Sequence, residues 1–212
     1  MAARALASLA LFASCRARSY GQGHLAPRTA VTIDASARPE QNLTKFWQAS
    51  VGSGHAALGV PGAIATTIPL PPGSSLGKMW QEQLKAVHDD TGIYGVRFHG
   101  SFDDDMGPVA TASASGEISY NFTALDVLYD GIMAAGVTPI VELSFMPTAI
   151  ADCDPGHCPT GMHYRGVEAH PRKWSMWYDL IHAFTSHMVK RHGIDELVRW
   201  RFEVWKCACS LS

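Results

Sequence analysis

Apolar residues recur at helical spacing in three stretches of the chain, and a short strand-like run follows each stretch. Serine, proline and glycine mark the helix ends, because serine caps a helix, proline suits its first turn and glycine stops it. The predicted helices run from Ser74 or Ser75 to Gly92, from around Thr123 to Gly136, and from Pro171 to Gly193. The pattern therefore predicts three helices, each leading into a strand.

Strands are predicted where β-branched and aromatic residues replace the helical spacing. The predicted strands are residues 30–33, 45–51, 93–99, 137–145 and 198–205. The first two are expected to form a short β-hairpin that ends at the Gly52-Ser53-Gly54 turn. A hairpin followed by alternating helices and strands is thus expected.

This alternation favours an α/β fold built from parallel βα units. The loops after the predicted strands are long and rich in turn residues, which is typical of a (β/α)8 TIM barrel with its functional residues at the carboxyl ends of the strands. A doubly wound sheet gives the same alternation. No glycine-rich phosphate fingerprint follows any strand, so a nucleotide-binding version of that fold has little support.

The composition narrows the possible functions. The chain has 212 residues, 47% hydrophobic and 17% charged, so it can bury a sizeable core. Its formal net charge is -2 with both signs mixed along the chain, so nucleic acid is not an expected partner. No apolar run reaches the roughly 20 residues that cross a bilayer, and no membrane span is expected.

The N-terminus has the layout of a secretory signal peptide. Arg4 precedes an Ala/Leu/Phe run, and small residues follow up to Ala17. Residues 1–17 are therefore expected to be a cleaved signal peptide, and the protein is expected to be secreted, or to reach lysosomes or the extracellular space through the secretory pathway. An apolar N-terminal helix packed on the domain is the alternative interpretation.

Two further features fit an oxidising secretory compartment. Asn42 and Asn121 each begin an Asn-Xaa-Thr triplet and are candidate glycosylation acceptors. Cys153 and Cys158 bracket a turn-forming segment and could close a small disulfide loop. A metal site using His157 and Asp152 is the alternative, but a structural zinc site needs four organised ligands. No metal and no cofactor is expected.

Five ionisable residues stand where predicted strands end or turn. Arg97 and His99 share one strand face, and such a pair can bind sugar hydroxyls or a carboxylate, or else each can be held by a structural partner. Glu142 lies inside an apolar strand, where a carboxylate needs a partner; Arg97 is the expected one, and a catalytic role is the alternative. Glu203 is expected to support neighbouring polar groups. His55 is expected on a tight turn at the barrel mouth, or else at the surface.

Three consecutive aspartates, Asp103, Asp104 and Asp105, follow the strand that carries Arg97. They could suggest a metal-binding loop, but three consecutive carboxylates cannot all face one ion. A solvated or helix-capping run is therefore expected.

Several of these segments occur together in a recognisable order. They are Gly52-Ser53-Gly54-His55, Val96-Arg97-Phe98-His99-Gly100, Tyr120-Asn121-Phe122, Val141-Glu142-Leu143-Ser144-Phe145-Met146-Pro147 and Phe202-Glu203-Val204-Trp205. In this order they resemble glycoside hydrolase family 39, which contains β-xylosidases and α-L-iduronidases. Residues 28–205 are therefore expected to form the N-terminal part of such a catalytic domain.

The resemblance implies a (β/α)8 barrel that hydrolyses O-glycosyl bonds by a retaining mechanism. One carboxyl group then acts as acid/base and a second, about 5–5.5 Å away, as nucleophile. Carbohydrate is the implied partner, and the residues that can be carried over to the sugar site are His55, Arg97 and His99.

The two reacting carboxyl groups cannot be carried over in the same way. In the family the acid/base glutamate follows the fourth strand in a Trp-Asn-Glu motif, and the nucleophile lies on the seventh strand. Here Trp205 is followed by Lys206-Cys207. Residues 206–212 are expected to be an aberrant tail after a barrel truncated near its fourth strand. The chain alone is then expected to be inactive, as a carbohydrate-binding fragment or a truncated gene model.

Overall fold

The computed structural model describes residues 44–63, 70–154, 156–161 and 166–205. Four predictions fall outside these residues: the signal peptide 1–17, the strand 30–33, the glycosylation acceptor Asn42 and the tail 206–212. Among the described residues, no helix is long and apolar enough to cross a membrane.

Four parallel strands form the central sheet, and their order in the sheet is their order along the chain. They are β1 (Val51–His55), β2 (Gly95–His99), β5 (Thr138–Glu142) and β8 (Arg201–Glu203); two short antiparallel pairs, β3 (Ala110–Ala112) with β4 (Ile118–Tyr120) and β6 (Thr160–Gly161) with β7 (Gly166–Val167), lie in the loops. A sequential order has no point at which the winding reverses, so these four strands do not form the doubly wound alternative. The predicted α/β fold with parallel strands is confirmed.

A helix lies in each connection between neighbouring strands of this sheet. These helices are α1 (Leu76–Thr91), α2 (Thr123–Ala134) and α3 (Trp174–His192), and a short α4 (Ile194–Leu197) precedes β8. Ser75 caps α1, because its hydroxyl accepts a hydrogen bond from the Lys78 amide at 3.2 Å. Gly92 ends the same helix in a left-handed conformation with φ 72°. All three predicted helices are confirmed.

The third helix and the last strand differ from the prediction at their ends. Pro171 forms an isolated bridge with Ala151 instead of entering the helix, which begins at Trp174. The strand predicted from residue 198 begins only at Arg201, because Val198 still ends α4 in a helical conformation. The first difference arises from the pairing of Pro171 with a residue distant in sequence and the second from the short helix α4, and the spacing of side chains encodes neither.

The predicted N-terminal hairpin is wrong in its second half. Phe46–Ala49 forms a 3-10 helix, and the Gly52-Ser53-Gly54 segment lies inside β1 and not in a turn. The partner of β1 is β2, which runs parallel to it. Strand propensity depends on the available neighbours, and in the described residues no strand pairs with the segment before β1.

The apolar core lies between one face of the sheet and the helices. Val96, Phe98 and Val141 are 0% exposed on this face. The Phe98 ring centre lies 6.1 Å from the ring of Tyr129 on α2 and 6.5 Å from that of Trp80 on α1. The helices contribute the buried residues Leu84, Leu125, Leu128, Ile132, Leu180, Phe184 and Met188.

The opposite face of the sheet is polar. Strand alternation turns Arg97 and His99 away from the core, and their side chains are 32% and 15% exposed. Long connections, residues 100–122 and 143–173, lie at the carboxyl ends of the strands, whereas residues 92–94 and 135–137 suffice at the amino ends. Functional residues in singly wound α/β proteins are found at the carboxyl edge.

The core makes a direct prediction at α2. Leu128 is 0% exposed and packs closely against Gly59, in the connection between β1 and α1. A Cβ atom at Gly59 would lie 2.4 Å from Cδ1 of Leu128. Leu128→Ala should lower the free energy of unfolding by about 2–5 kcal/mol, because it leaves a cavity. The neighbouring Val127 is 40% exposed, and Val127→Ala should cost less than about 1 kcal/mol. Urea denaturation of both variants compares the two, and equal losses would contradict this packing.

Candidate active site

Ionisable side chains end all four strands of the sheet at its carboxyl edge. His55 ends β1, His99 ends β2, Glu142 ends β5 and Glu203 ends β8. His55 is in register with His99, and Glu142 with Glu203. Arg97 lies two residues before His99 on the same face. The parallel topology therefore brings five residues, far apart in sequence, to one edge.

Arg97 binds two carboxylates from two different strands. Its Nε and Nη2 donate to Oε2 and Oε1 of Glu203, each at 2.9 Å, in a bidentate pair. Its Nη2 also lies 2.5 Å from Oε1 of Glu142. The hydrogen bond with Glu203 is the main reason that the pKa of Arg97 is raised above its ordinary value. The guanidinium thus joins β2, β5 and β8.

Glu142 is the most deeply buried charged residue of the site, with 0% exposure. Its oxygens lie 2.7 and 2.9 Å from Nδ1 of His99, in addition to the contact with Arg97. A carboxylate with these partners and no exposed surface cannot reach a sugar. Its contacts support a role in orienting Arg97 and His99, and the alternative catalytic role has no support in this geometry.

The His99 side chain has one ring nitrogen in contact with Glu142 and is partly exposed. Nδ1 is held by Glu142, and the side chain is 15% exposed. Fixing one ring nitrogen sets the direction of the other, which is how proteins aim an imidazole at a ligand. The ring can therefore present a hydrogen-bonding edge at the polar face of the sheet.

His55 has a different environment from the one expected. It is 4% exposed, and its Nε2 lies 3.2 Å from Oδ2 of Asp105 and 3.5 Å from Oδ2 of Asp103. Burial alone would lower the pKa of His55, but hydrogen bonds with the two aspartates and their charges raise it to about 9. The ring lies at the end of a strand, not on a tight turn, and its burial supports a positioning role over contact with a sugar.

The expectation for the aspartate run is wrong at Asp103. This residue is 5% exposed and makes no helix-capping hydrogen bond, whereas burial raises the pKa of its carboxyl group and the hydrogen bond with His55 opposes that rise. Asp104 instead accepts a hydrogen bond from the Thr148 amide at 3.0 Å. A buried histidine needs an acidic partner, and acids placed directly after the neighbouring strand were the signal for these contacts.

The same three residues offer the ligand types of a metal site. Ligand atoms of His55, Asp103 and Asp105 lie within 4.8 Å of one another. A metal needs the neutral imidazole, however, and a structural zinc site needs a fourth ligand. His55, Asp103 and Asp105 supply three ligand atoms, one fewer than a structural zinc site uses, and their contacts form an ion triad.

The remaining site residues of the sequence lie away from this edge cluster. Cys153 and Cys158 form a disulfide with an S–S distance of 2.03 Å in the connection between β5 and α3. Asn121 is exposed just before α2, and its Oδ1 accepts hydrogen bonds from the amide and hydroxyl of Thr123. Glycosylation of Asn121 stays a prediction.

The buried carboxylate makes a prediction about stability. Glu142→Gln removes a charge that faces Arg97 and His99, so it should lower the free energy of unfolding by about 3 kcal/mol. Glu203→Gln also weakens Arg97 binding, but the Glu203 side chain is 38% exposed, and the loss should be about 1 kcal/mol. Denaturant unfolding at neutral pH measures both. A larger loss for Glu203→Gln would contradict the view that the buried Glu142 contributes more to stability than the exposed Glu203.

Comparisons with known proteins show which proteins the chain is similar to. The chain is 34% identical over 163 residues to a β-xylosidase of Caldicellulosiruptor saccharolyticus, which covers 77% of this chain and 29% of that protein. It is 31% identical over 175 residues to a β-xylosidase of Geobacillus stearothermophilus, with 82% and 31% covered. The chain thus spans about a third or less of the length of these relatives.

Solved structures and a family profile give the same result. A monomeric β-xylosidase from Caulobacter crescentus CB15 is similar with a TM-score of 0.62 and 32% identity, over 77% of this chain and 29% of that one. A GH39 enzyme from Xanthomonas axonopodis pv. citri is similar with a TM-score of 0.62 and 29% identity, over 77% of this chain and 28% of that one. The profile of glycosyl hydrolases family 39 matches residues 29–208, which is most of the chain. The chain therefore belongs to glycosyl hydrolases family 39.

Proposed function

We propose that this chain forms the sugar-binding side of an O-glycosidase that acts on carbohydrate as the β-xylosidases and α-L-iduronidases do. The observation that carries the proposal is the Arg97, His99 and Glu142 network at the carboxyl edge of the sheet. In this network a fully buried carboxylate fixes the side chains of Arg97 and His99, which are 32% and 15% exposed. Such prearranged hydrogen-bonding groups suit sugar hydroxyls, which need hydrogen bonds of defined direction.

The proposal divides the edge residues by their access to a ligand. His99, with its fixed ring, contacts the sugar, and Arg97 contacts or shapes the site from the neighbouring position. Glu142 and Glu203 hold the guanidinium in place. His55 positions the site without contacting the sugar, because its ring is buried against Asp103.

The reacting carboxyl groups of a retaining mechanism come from outside the described residues in this proposal. Of the two glutamates at the edge, Glu142 has no exposed surface and Glu203 is bound by Arg97 through both oxygens. Neither is placed to act as acid/base or nucleophile. The chain alone is therefore proposed to be inactive, and the pair belongs to a longer protein with a complete (β/α)8 barrel.

The exposed apolar residues next to β8 support such a barrel. Phe202 is 42% exposed and Val204 is 78% exposed, although both belong to the last strand region of the sheet. Sheets of this parallel type are normally covered on both faces. Further βα units packed against β8 would bury these side chains.

A second function is favoured by the completeness of the network. All partners of Arg97, His99 and Glu142 named above lie within the described chain, so sugar binding does not require the missing carboxyl pair. A carbohydrate-binding fragment without turnover is therefore the alternative. A truncated gene model is the third explanation, and comparison of genomic and spliced sequence beyond Trp205 decides it.

The proposal also includes the secretory pathway. The N-terminal pattern of residues 1–17 and the disulfide between Cys153 and Cys158 support it, because disulfides persist in oxidising compartments. Mass analysis of the secreted protein for cleavage near Ala17 and for a glycan at Asn121 tests this part separately.

The role of His99 gives the activity prediction. In the longer protein, His99→Ala should lower kcat/KM for an aryl β-xyloside by about 10²–10³-fold, because one prearranged hydrogen-bonding group is lost. His182, an exposed histidine on α3, provides the matched control, and His182→Ala should leave kcat/KM unchanged. An aryl α-L-iduronide assayed in parallel identifies the substrate type.

The same assay of the present chain should show no turnover. Isothermal titration with xylose separates the two remaining functions, since binding supports the carbohydrate-binding fragment. Hydrolysis by the present chain would refute the proposed position of the carboxyl pair, and an unchanged kcat/KM in His99→Ala would refute the role of His99.

A further inference from the structure

We propose that His55 is a charged clasp, which holds the loop after β2 against the carboxyl end of β1 and thereby positions the mouth of the candidate site. The loop comprises residues 100–109 and is called the clasp loop below. The hold itself rests on geometry, and only its effect on turnover rests on the proposed function.

The contact between His55 and the clasp loop is an ion triad. One ring nitrogen, Nε2, faces Oδ2 of Asp105 at 3.2 Å and Oδ2 of Asp103 at 3.5 Å. A single N–H cannot donate well to two acceptors at once, so the positive charge of the ring is what holds both carboxylates together. Without that charge, two like-charged groups would face each other beside a neutral ring.

The backbone at Gly100 packs closely against the triad. Gly100 has φ 78°, and a Cβ atom there would lie 3.0 Å from Cδ2 of His55 and 3.2 Å from Oδ2 of Asp103. The glycine therefore lets the chain turn directly over the imidazole ring. The clasp loop passes over His55 at the point where it leaves β2.

The clasp loop also binds the connection that follows β5. The Phe102 amide donates to the Ser144 carbonyl at 2.8 Å, and the Thr148 amide donates to Oδ2 of Asp104 at 3.0 Å. The Phe102 side chain is 0% exposed and packs edge-on against Phe184 of α3. Through these contacts the clasp joins the ends of β1, β2 and β5.

The loop begins directly after His99, so its position bears on the site. His99 and Gly100 are consecutive, and the ring of His99 is aimed by Glu142 on the neighbouring strand. Any displacement of the loop at Gly100 moves the backbone next to this ring. The clasp is therefore a positioning device for His99, and it does not itself touch a ligand.

The charge on His55 decides whether the clasp loop stays bound to the end of β1. Burial alone would lower the pKa of His55, but Asp103 and Asp105 raise it to about 9, compared with the ordinary value of 6.5. β1 brings no other ionisable group, and His99, the register partner on β2, contacts Glu142. Asp103 and Asp105 of the clasp loop are the charged groups that act on the His55 ring in the described part of the chain.

The direction of the pH effect follows from this raised pKa. The folded protein holds the His55 proton more tightly than the unfolded chain does. The stabilisation is therefore complete below pH 6.5 and is lost as the pH rises through about 9. Above that pH, Asp103 is a buried carboxylate beside a neutral ring, and the clasp loop should loosen.

Hydrogen exchange of the clasp loop tests the proposal. Exchange rates of peptides covering residues 100–109 and 143–149, corrected for the intrinsic effect of pH, are compared at pH 6.5 and pH 9.5. In the unmodified protein these amides should exchange at least about tenfold faster at the higher pH. His55→Gln should exchange fast at both values, because it has no charge to lose. His55→Arg keeps its charge over this range, so its exchange should not change between the two pH values.

A second contact between a histidine and an aspartate serves as control. His187 lies 2.7 Å from Asp126 at the junction of α3 and α2, outside the clasp. His187→Gln should leave exchange in the clasp loop unchanged at both pH values. If His55→Gln loosens the whole protein, the pH series of the unmodified protein decides the question by itself.

Two outcomes would overturn the clasp. One is a corrected exchange rate of the clasp loop that does not change between pH 6.5 and pH 9.5 in the unmodified protein. The other is a His55→Arg variant that loosens with pH as the unmodified protein does. Neither outcome depends on glycosidase activity, so the clasp and the proposed function can fail separately.

Discussion

The buried carboxylate of Glu142 is the constraint on which the candidate site depends. An ion without exposed surface costs several kcal/mol of lost hydration unless it is paired and hydrogen-bonded. Arg97 and His99 on β2 supply those contacts, and Glu203 on β8 balances the second side of the guanidinium. Because the partners come from three adjacent strands, a shift of one strand by a single residue would leave a buried charge unpaired. The charges therefore fix the register of the sheet as well as the direction of the side chains.

A second ionic group, around His55, stands beside the first and has the opposite sign at its centre. In the first group a buried carboxylate contacts Arg97 and His99, and in the second a buried cation is enclosed by Asp103 and Asp105. The two groups meet at consecutive residues, His99 and Gly100. The carboxyl edge is thus held by polar and charged contacts, while the strands pack apolar side chains against the helices on their other face.

The fold could be predicted from the sequence where the signal was local. Helix caps such as Ser75, stops such as Gly92 and the alternation of Arg97 and His99 are encoded within a few residues. The need of Glu142 for a cation was also readable, because an acid inside an apolar strand is unstable alone. The pairing of the first strand could not be read in this way. The segment before β1 resembles a strand of a hairpin, but β1 pairs with β2, which follows helix α1 in the chain.

The burial of Asp103 shows the same limit in the candidate site. Three successive aspartates look like a solvated run, since an isolated charge belongs in water. Only the sheet brings the end of β1 next to the start of the clasp loop, and there the imidazolium of His55 makes a buried aspartate tolerable. Local sequence thus gives the charge of each residue, whereas topology decides whether that charge meets water or a partner. In a singly wound sheet the deciding contacts lie at the carboxyl edge, where residues from different strands meet.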